Sequence, residues 1–354
     1  MVRLQTHLFV AVLLLAGSTV LSQNVFYSQY RRAGQALNPA LTGLTPGSWE
    51  TGALWQQRGY GTDTTQNTYL LQGSYRFDFR GLSDKGYGLK VAYEDKYSIA
   101  VGAMGEMRRA TLPYEQFTSA YGSFAVQMKT GYKDLIAAGI QVGAFMQPAY
   151  YPVTSGSPVL TGDTIHFPGS PSATKLDINA GILLGFGKME CWNDDQLYRL
   201  QIGLAGSHLL EPWLRDSLPR VAGREIRLHG SYLWEVNRAL GIIPFGLVQY
   251  ADSVMVQAGA TAIYRKHYSY IDRIRGGLYY LSGGYLSPSA GLRFYWGEQA
   301  TYGLDVEISY DIALRDQSLT GWHHRGFEIS LKFGLINRCW SGDPCSGAYQ
   351  YETY

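Results

Sequence analysis

The sequence predicts an all-β fold, a transmembrane antiparallel β-barrel of about 14 strands closed around a filled lumen. Three observations carry that prediction. Apolar and polar residues alternate with period 2 along most of the chain. Of 354 residues, 42 are Gly, 28 Tyr and 8 Trp, while only 16% are charged. Mean hydropathy is −0.13, so the chain lacks the runs of about 20 apolar residues that a helical membrane bundle needs. Disorder is excluded too, because 46% hydrophobic and 14% aromatic residues can bury surface. A formal net charge of +2 gives no electrostatic case for nucleic acid.

Export comes first in the chain. Arg3 is basic, Leu8 to Ala16 is apolar, and Gly17 to Ser22 is a stretch of mostly small residues ahead of Gln23. This is the order of a bacterial secretory signal cleaved near Ser22 and Gln23. The apolar run is too short to span a bilayer easily, which argues against an anchor. The expected organisation is a signal peptide over 1–22, an N-terminal segment over 23–47, a barrel over 48–335 and a periplasmic tail over 336–354.

The strands follow from alternation. Over 302–311, Tyr302, Leu304, Val306, Ile308 and Tyr310 share one face, and Gly303, Asp305, Glu307, Ser309 and Asp311 share the other. Segments 326–335, 198–207 and 226–234 repeat the pattern. In a barrel the apolar phase meets outer-membrane lipid and the polar phase lines the lumen. Seven strands are expected to run outward, over 48–60, 86–97, 134–147, 198–209, 242–250, 273–282 and 303–312. Seven return, over 67–79, 115–128, 177–187, 224–235, 254–264, 286–296 and 326–335. Residues 98–114 are ambiguous. The connections 148–176, 210–223 and 313–325 then fall outside the cell, and short turns at 80–85, 129–133 and 236–241 fall inside.

The polar phase assigns Arg76, Asp78, Lys90, Glu94, Asp177, Arg199, Arg227, His229, Arg293, Asp305, Glu307, Glu328 and Lys332 to the lumen. A wide ion-selective pore shows a ring of one sign. Mixed signs favour pairing and a filled interior.

Between the signal and the first strand, residues 26–43 do not alternate. Asn38-Pro39 and Thr42-Gly43 read as turns. Phe26, Tyr27, Tyr30, Leu37 and Leu41 supply area to bury, which favours a segment packed in the lumen or across the periplasmic mouth over a free leader. The segment reads Phe26-Tyr27-Ser28-Gln29-Tyr30 and then Leu37-Asn38-Pro39-Ala40-Leu41-Thr42-Gly43. It resembles the N-terminal signature of the PorP/SprF family of Bacteroidetes outer-membrane proteins. Phe26, Ser28, Gln29, Tyr30, Asn38, Pro39 and Gly43 carry the motif. Gly206 to Pro212, Ser309-Tyr310-Asp311 and Gly326 to Leu331 look similar to later family motifs, in the same order. The spacer Arg31 to Ala36 and the pair Gly326-Phe327 depart from the family pattern. The resemblance implies a cell outer-membrane barrel of the type IX secretion and gliding machinery. It also implies partners: a large secreted surface adhesin and periplasmic ring components.

Candidate chemistry is sparse, and no catalytic, cofactor-binding or metal motif emerges. Cys339 and Cys345 flank the turn signal Asp343-Pro344 and are spaced to close a small disulfide. Cys191 is left over, or swaps into a bridge with the tail. His323-His324 has no third ligand nearby. Ser207 and His208 are strand neighbours, whose side chains diverge. The expected function is therefore an interaction protein that helps export or anchor an adhesin. The alternative is a diffusion porin or small-ligand outer-membrane transporter.

Overall fold

The computed structural model describes residues 27–45, 47–59, 65–79, 97–110, 115–130, 134–147, 173–188, 198–210, 224–237, 239–251, 254–265, 271–282, 284–296, 302–314 and 326–335. Fifteen strands lie among them: β1 (Trp49–Arg58), β2 (Gln66–Phe79), β3 (Tyr97–Ala110), β4 (Glu115–Lys129), β5 (Leu135–Gln147), β6 (Ala173–Lys188), β7 (Tyr198–Ser207), β8 (Glu225–Tyr232), β9 (Trp234–Glu235), β10 (Leu240–Tyr250), β11 (Val254–Arg265), β12 (Ile271–Leu281), β13 (Tyr285–Trp296), β14 (Tyr302–Ala313) and β15 (Gly326–Leu335). All pair antiparallel with their neighbours. β1 pairs with both β2 and β15, and β10 pairs with both β8 and β11, so the sheet closes on itself. The two-residue β9 continues β8 past Leu233, which makes a closed barrel of 14 staves. Pro244 of β10 stands at that interruption and brings no N–H to the ladder. Closure leaves no free edge, the condition for crossing a bilayer with strands. Among the described residues no helix is long and apolar enough to cross a membrane.

Large apolar side chains cover the outside. Leu71 is 65% exposed, Leu176 60% and Ile226 54%. They belong to a wall that faces hydrocarbon. Aromatic residues gather on that wall near its two rims. At one rim Trp49, Trp296 and Tyr302 surround Phe333, with ring centroids 5.2, 5.4 and 6.2 Å from it. Towards the other rim Trp55 meets Phe327 at 6.0 Å. Trp55 lies six positions beyond Trp49, about 20 Å along a strand, which suits the apolar band of an outer-membrane barrel.

Two expectations about the strands are corrected. The third stave is 97–110, not 86–97, so the connection from β2 to β3 spans 80–96 rather than a short turn at 80–85. The inner phase of β3 runs Ser98, Ala100, Gly102, Met104 and Glu106. Small inner residues erase the polar contrast by which a strand is recognised in sequence.

The second correction concerns Arg199, which is exposed and lies 5.9 Å from the ring of Tyr232 on the outer side. Opposite it, Gly187 of β6 adopts φ +67, and the burial pattern of β7 inverts at this end. Tyr198 therefore turns inward, 4% exposed. Arg76, Asp177, Arg227, His229, Arg293, Asp305, Glu307, Glu328 and Lys332 face inward as the phase predicts. Lys90, Glu94 and the side chain of Asp78 lie outside the described residues. So do residues 1–26, the tail 336–354, His323, His324 and all three cysteines.

Candidate functional site

The lumen is occupied by the chain itself. Residues 27–45 fold into a 3-10 turn (Tyr30–Arg32), one turn of α-helix (Gly34–Leu37) and a second 3-10 turn (Pro39–Leu41), all inside the barrel. A helix of four residues has no stability of its own in water. The barrel wall must hold it, and three kinds of contact do so.

The first satisfies the backbone carbonyls of the segment. Gln257 Nε2 donates to the carbonyls of Tyr27 (3.3 Å) and Ser28 (2.9 Å). Gln72 donates to Arg32 O at 2.6 Å and Gln141 to Gln35 O at 3.0 Å. Arg227 donates to Ala36 O at 2.6 Å and Gln127 to Thr42 O at 3.0 Å. Arg76 reaches Gly43 O and Thr45 O at 3.3 and 2.7 Å. Segments without regular ladders must find such partners once buried. Here they come from long amide and guanidinium side chains projecting from the wall.

The second kind is ionic and concentrates on β14 and β15. The Ser28 and Gln29 amides donate to the two oxygens of Glu328, each at 2.8 Å, and Gln56 donates to the same carboxylate at 2.8 Å. The Ser28 hydroxyl donates to Asp311 at 2.6 Å, and Ser287 donates to the same Oδ1. Gln29 donates to Ser309 at 3.2 Å and accepts from Ser330 at 2.5 Å. Arg32 places Nε and Nη2 on Glu307 Oε2 at 3.1 and 3.0 Å, and its Nη1 is 3.7 Å from Asp305. Asp305 is shared with Arg275 (2.9 Å) and Arg293 (2.5 Å). Charges this deeply buried need such networks.

The third kind is close approach, on β5, β6 and β7. A Cβ added at Gly139 would lie 2.4 Å from the carbonyl of Pro39. At Gly181 it would lie 2.0 Å from Asn38 Oδ1, and at Gly203 2.8 Å from Asn38 Nδ2. Asn38 caps the second 3-10 turn by accepting from Ala40 N at 2.9 Å, with Pro39 at its first position. Its amide donates to Ile182 O at 3.0 Å and lies 3.1 Å from His229 Nε2. Gly43 adopts φ +68 and presses against Ala100, whose Cβ would be 2.3 Å from any Cβ at Gly43. Apolar packing fills the spaces between. Tyr27, Ala33 and Leu37 join Leu54, Leu70, Met104, Tyr121, Phe245, Leu247 and Tyr279. Ala40, Leu41 and Leu44 join Leu135, Ala137, Leu183 and Tyr198. A cavity left between the segment and the wall, lined by Gln29, Arg32, Thr261, Arg275, Tyr279 and Glu307, measures ≈ 10 Å³, room for about one water.

The structure therefore brings together Ser28, Gln29, Asn38, Pro39 and Gly43 of the signature at one interface. The side chain of Tyr30, together with Phe26, Cys339 and Cys345, lies outside the described residues. Sequence reasoning missed residues on both sides of this interface: Gln35 and Arg32 of the segment, and Gln72, Gln127, Gln141 and Gln257 of the wall that receives it. The recurrence of Gln in the inner phase of seven of the described strands was the available signal. His208 also joins a contact that its sequence neighbours did not suggest. It leaves β7 at φ 55, and its Nδ1 is 2.7 Å from Asp177 Oδ2, which accepts from Tyr121 Oη at 2.7 Å. The contact fastens the chain where it exits the barrel. Among the described residues no group of three His, Cys, Asp or Glu could hold a metal ion.

A closed antiparallel barrel with an apolar outer wall, aromatic rims and a lumen plugged by its own N-terminal segment belongs to the class of outer-membrane β-barrels. The chain is a member of the PorP/SprF family, described as "Type IX secretion system membrane protein PorP/SprF", whose profile matches residues 19–333. Among solved structures it is similar to the Ralstonia pickettii toluene transporter TbuX, at 12% identity and TM-score 0.53, over 87% of this chain and 94% of that one. The TodX monoaromatic hydrocarbon channel deltaS2 mutant is also similar, at 8% identity and TM-score 0.50, again over 87% and 94%. At such identities the likeness is one of fold. No curated protein matches the chain.

Proposed function

We propose that this outer-membrane barrel helps export or surface-anchor a large adhesin-like protein through the type IX secretion and gliding machinery. The family match over residues 19–333 carries the reading. The filled lumen supports it, because a tube closed by its own chain suits an interaction partner better than a diffusion pore. The protein acts through its surfaces and not as an enzyme. Its outer connections, 148–176, 210–223 and 313–325, contact the cargo. The turns at the opposite mouth and the tail 336–354 face periplasmic ring components, with Cys339 and Cys345 bridged in an oxidising compartment.

Two measurements test this. Deletion of the gene should abolish surface display of a long exported protein while leaving the abundance of other outer-membrane proteins unchanged. Purified barrel in planar bilayers should show no large steady conductance. Large open channels together with normal surface display in the deletion strain would favour the porin or small-ligand transporter instead.

A further inference from the structure

The segment crosses the lumen in one direction. Tyr27 and Ser28 sit where β14 ends and β11 and β15 begin, since their carbonyls accept from Gln257 and the Ser28 hydroxyl donates to Asp311. Four residues later Arg32 has moved down β14 to Glu307 and Asp305. Thr42 and Gly43 reach Gln127 and Arg76, close to the far ends of β4 and β2. The chain then leaves at the opposite mouth and enters β1 at Trp49. The mouth beside Tyr27 is joined by the connections 148–172, 208–224 and 314–325, whereas the opposite mouth has one connection of comparable length, 80–96. In outer-membrane barrels the longer connections face the outside.

We propose that the amino terminus of the mature chain emerges at the extracellular mouth. The barrel is threaded by its own chain, which passes from that mouth to the opposite one. Threading imposes an order on biogenesis. A leader still held in the inner membrane cannot continue from Tyr27 at the outer mouth, unless the chain passes through the lumen twice. The lumen around residues 27–45 is packed by one pass. Cleavage ahead of Tyr27 must therefore come before the plug is seated. The inference rests on the outer-membrane orientation and not on the identity of the cargo.

The test is cysteine accessibility in intact cells. Asn24→Cys and, separately, Tyr354→Cys are placed in a chain whose Cys191, Cys339 and Cys345 are changed to Ser. Both are treated with a membrane-impermeant maleimide before and after the outer membrane is permeabilised. The expected result is labelling of Asn24→Cys in intact cells, and of Tyr354→Cys only after permeabilisation. Labelling of Asn24→Cys only after permeabilisation, or its protection under both conditions, overturns the proposal. Should Asn24→Cys not give a folded, heat-modifiable band, the unaltered chain serves. Its amino-terminal peptide is then probed on intact cells by accessibility to an added protease and mapped by mass spectrometry: cleavage ahead of Tyr27 in intact cells is expected, and cleavage only after permeabilisation overturns the proposal. Cargo display is scored in the same strains. Normal display in a strain deleted for the gene, alongside the expected labelling, overturns the proposed function and leaves the threading intact.

Discussion

The two walls of the lumen hold the same segment by opposite means. The wall built from β14 and β15 binds residues 28–32 with carboxylates: Glu328, Asp311, Glu307 and Asp305. The wall built from β5, β6 and β7 receives residues 38–40 by having almost no side chains there, at Gly139, Gly181 and Gly203. On the first wall the segment supplies hydrogens to buried acceptors, so losing a partner leaves a desolvated charge. On the second, backbone lies against backbone, so adding an atom is what does damage. The difference shows that the plug was fitted by electrostatics at one end and by shape at the other. The two ends should therefore fail differently.

The largest effect is expected at the ionic wall. Arg32→Leu removes the cation from Glu307 and one of the three around Asp305. Breaking a buried pair from one side costs about 3–5 kcal/mol. Bilayer recordings of the variant should show conductance absent from the parent, and residues 27–45 should become protease-sensitive. A silent channel and a protected segment would mean that the shape-fitted end alone seats the plug.

A comparison across one strand comes next. Ile308→Arg points a charge at lipid near the middle of β14 and should cost about 2–4 kcal/mol. Gel mobility of unboiled samples and denaturant midpoints would register it as loss of folded barrel, with no selective loss of the plug. Conversely, plug release without barrel loss would place Ile308 in the lumen.

At the shape-fitted wall, Gly139→Val drives a side chain into the backbone of Pro39. Overpacking of this kind costs about 1–3 kcal/mol, and the segment should be displaced while the barrel stays intact. Thermal melts should move less than for Ile308→Arg, while protease nicking within 27–45 rises. If nicking is unchanged, the close approach at Gly139 does not hold the segment.

The smallest change is expected for Gln257→Leu, which takes one donor from the carbonyls of Tyr27 and Ser28. A neutral hydrogen bond contributes about 0.5–1.5 kcal/mol net. Amide exchange at residues 28 and 29 should quicken modestly. An effect as large as that of Arg32→Leu would show that carbonyl satisfaction, and not charge, dominates at this end.

Much of the barrel was legible because its two faces meet different solvents. Lipid demands apolar residues at every second position, and the polar lumen accepts the rest, so β14 and β15 are written plainly in the sequence. Legibility failed where the inner phase is small instead of polar. Ala100 and Gly102 of β3 hide the alternation because the space a polar side chain would fill is already taken by Gly43 and Gln35. It failed again at Arg199, beside the left-handed Gly187 of the neighbouring strand, where the alternation of β7 inverts at its end. A period-2 argument counts residues and cannot register a shift of one.

The N-terminal segment divides the same way. Its apolar residues and turn signals determined by themselves that it would pack, because unpaired aromatics do not remain in water. Whether it packed in the lumen or across a mouth, and in which direction it ran, depended on partners up to 301 positions away in sequence, as in the hydrogen bond from Ser330 to Gln29. Alternation is a local property, fixed by the solvent each face meets. A plug's seat is a property of the closed surface around it, and that surface does not exist until the last strand pairs with the first.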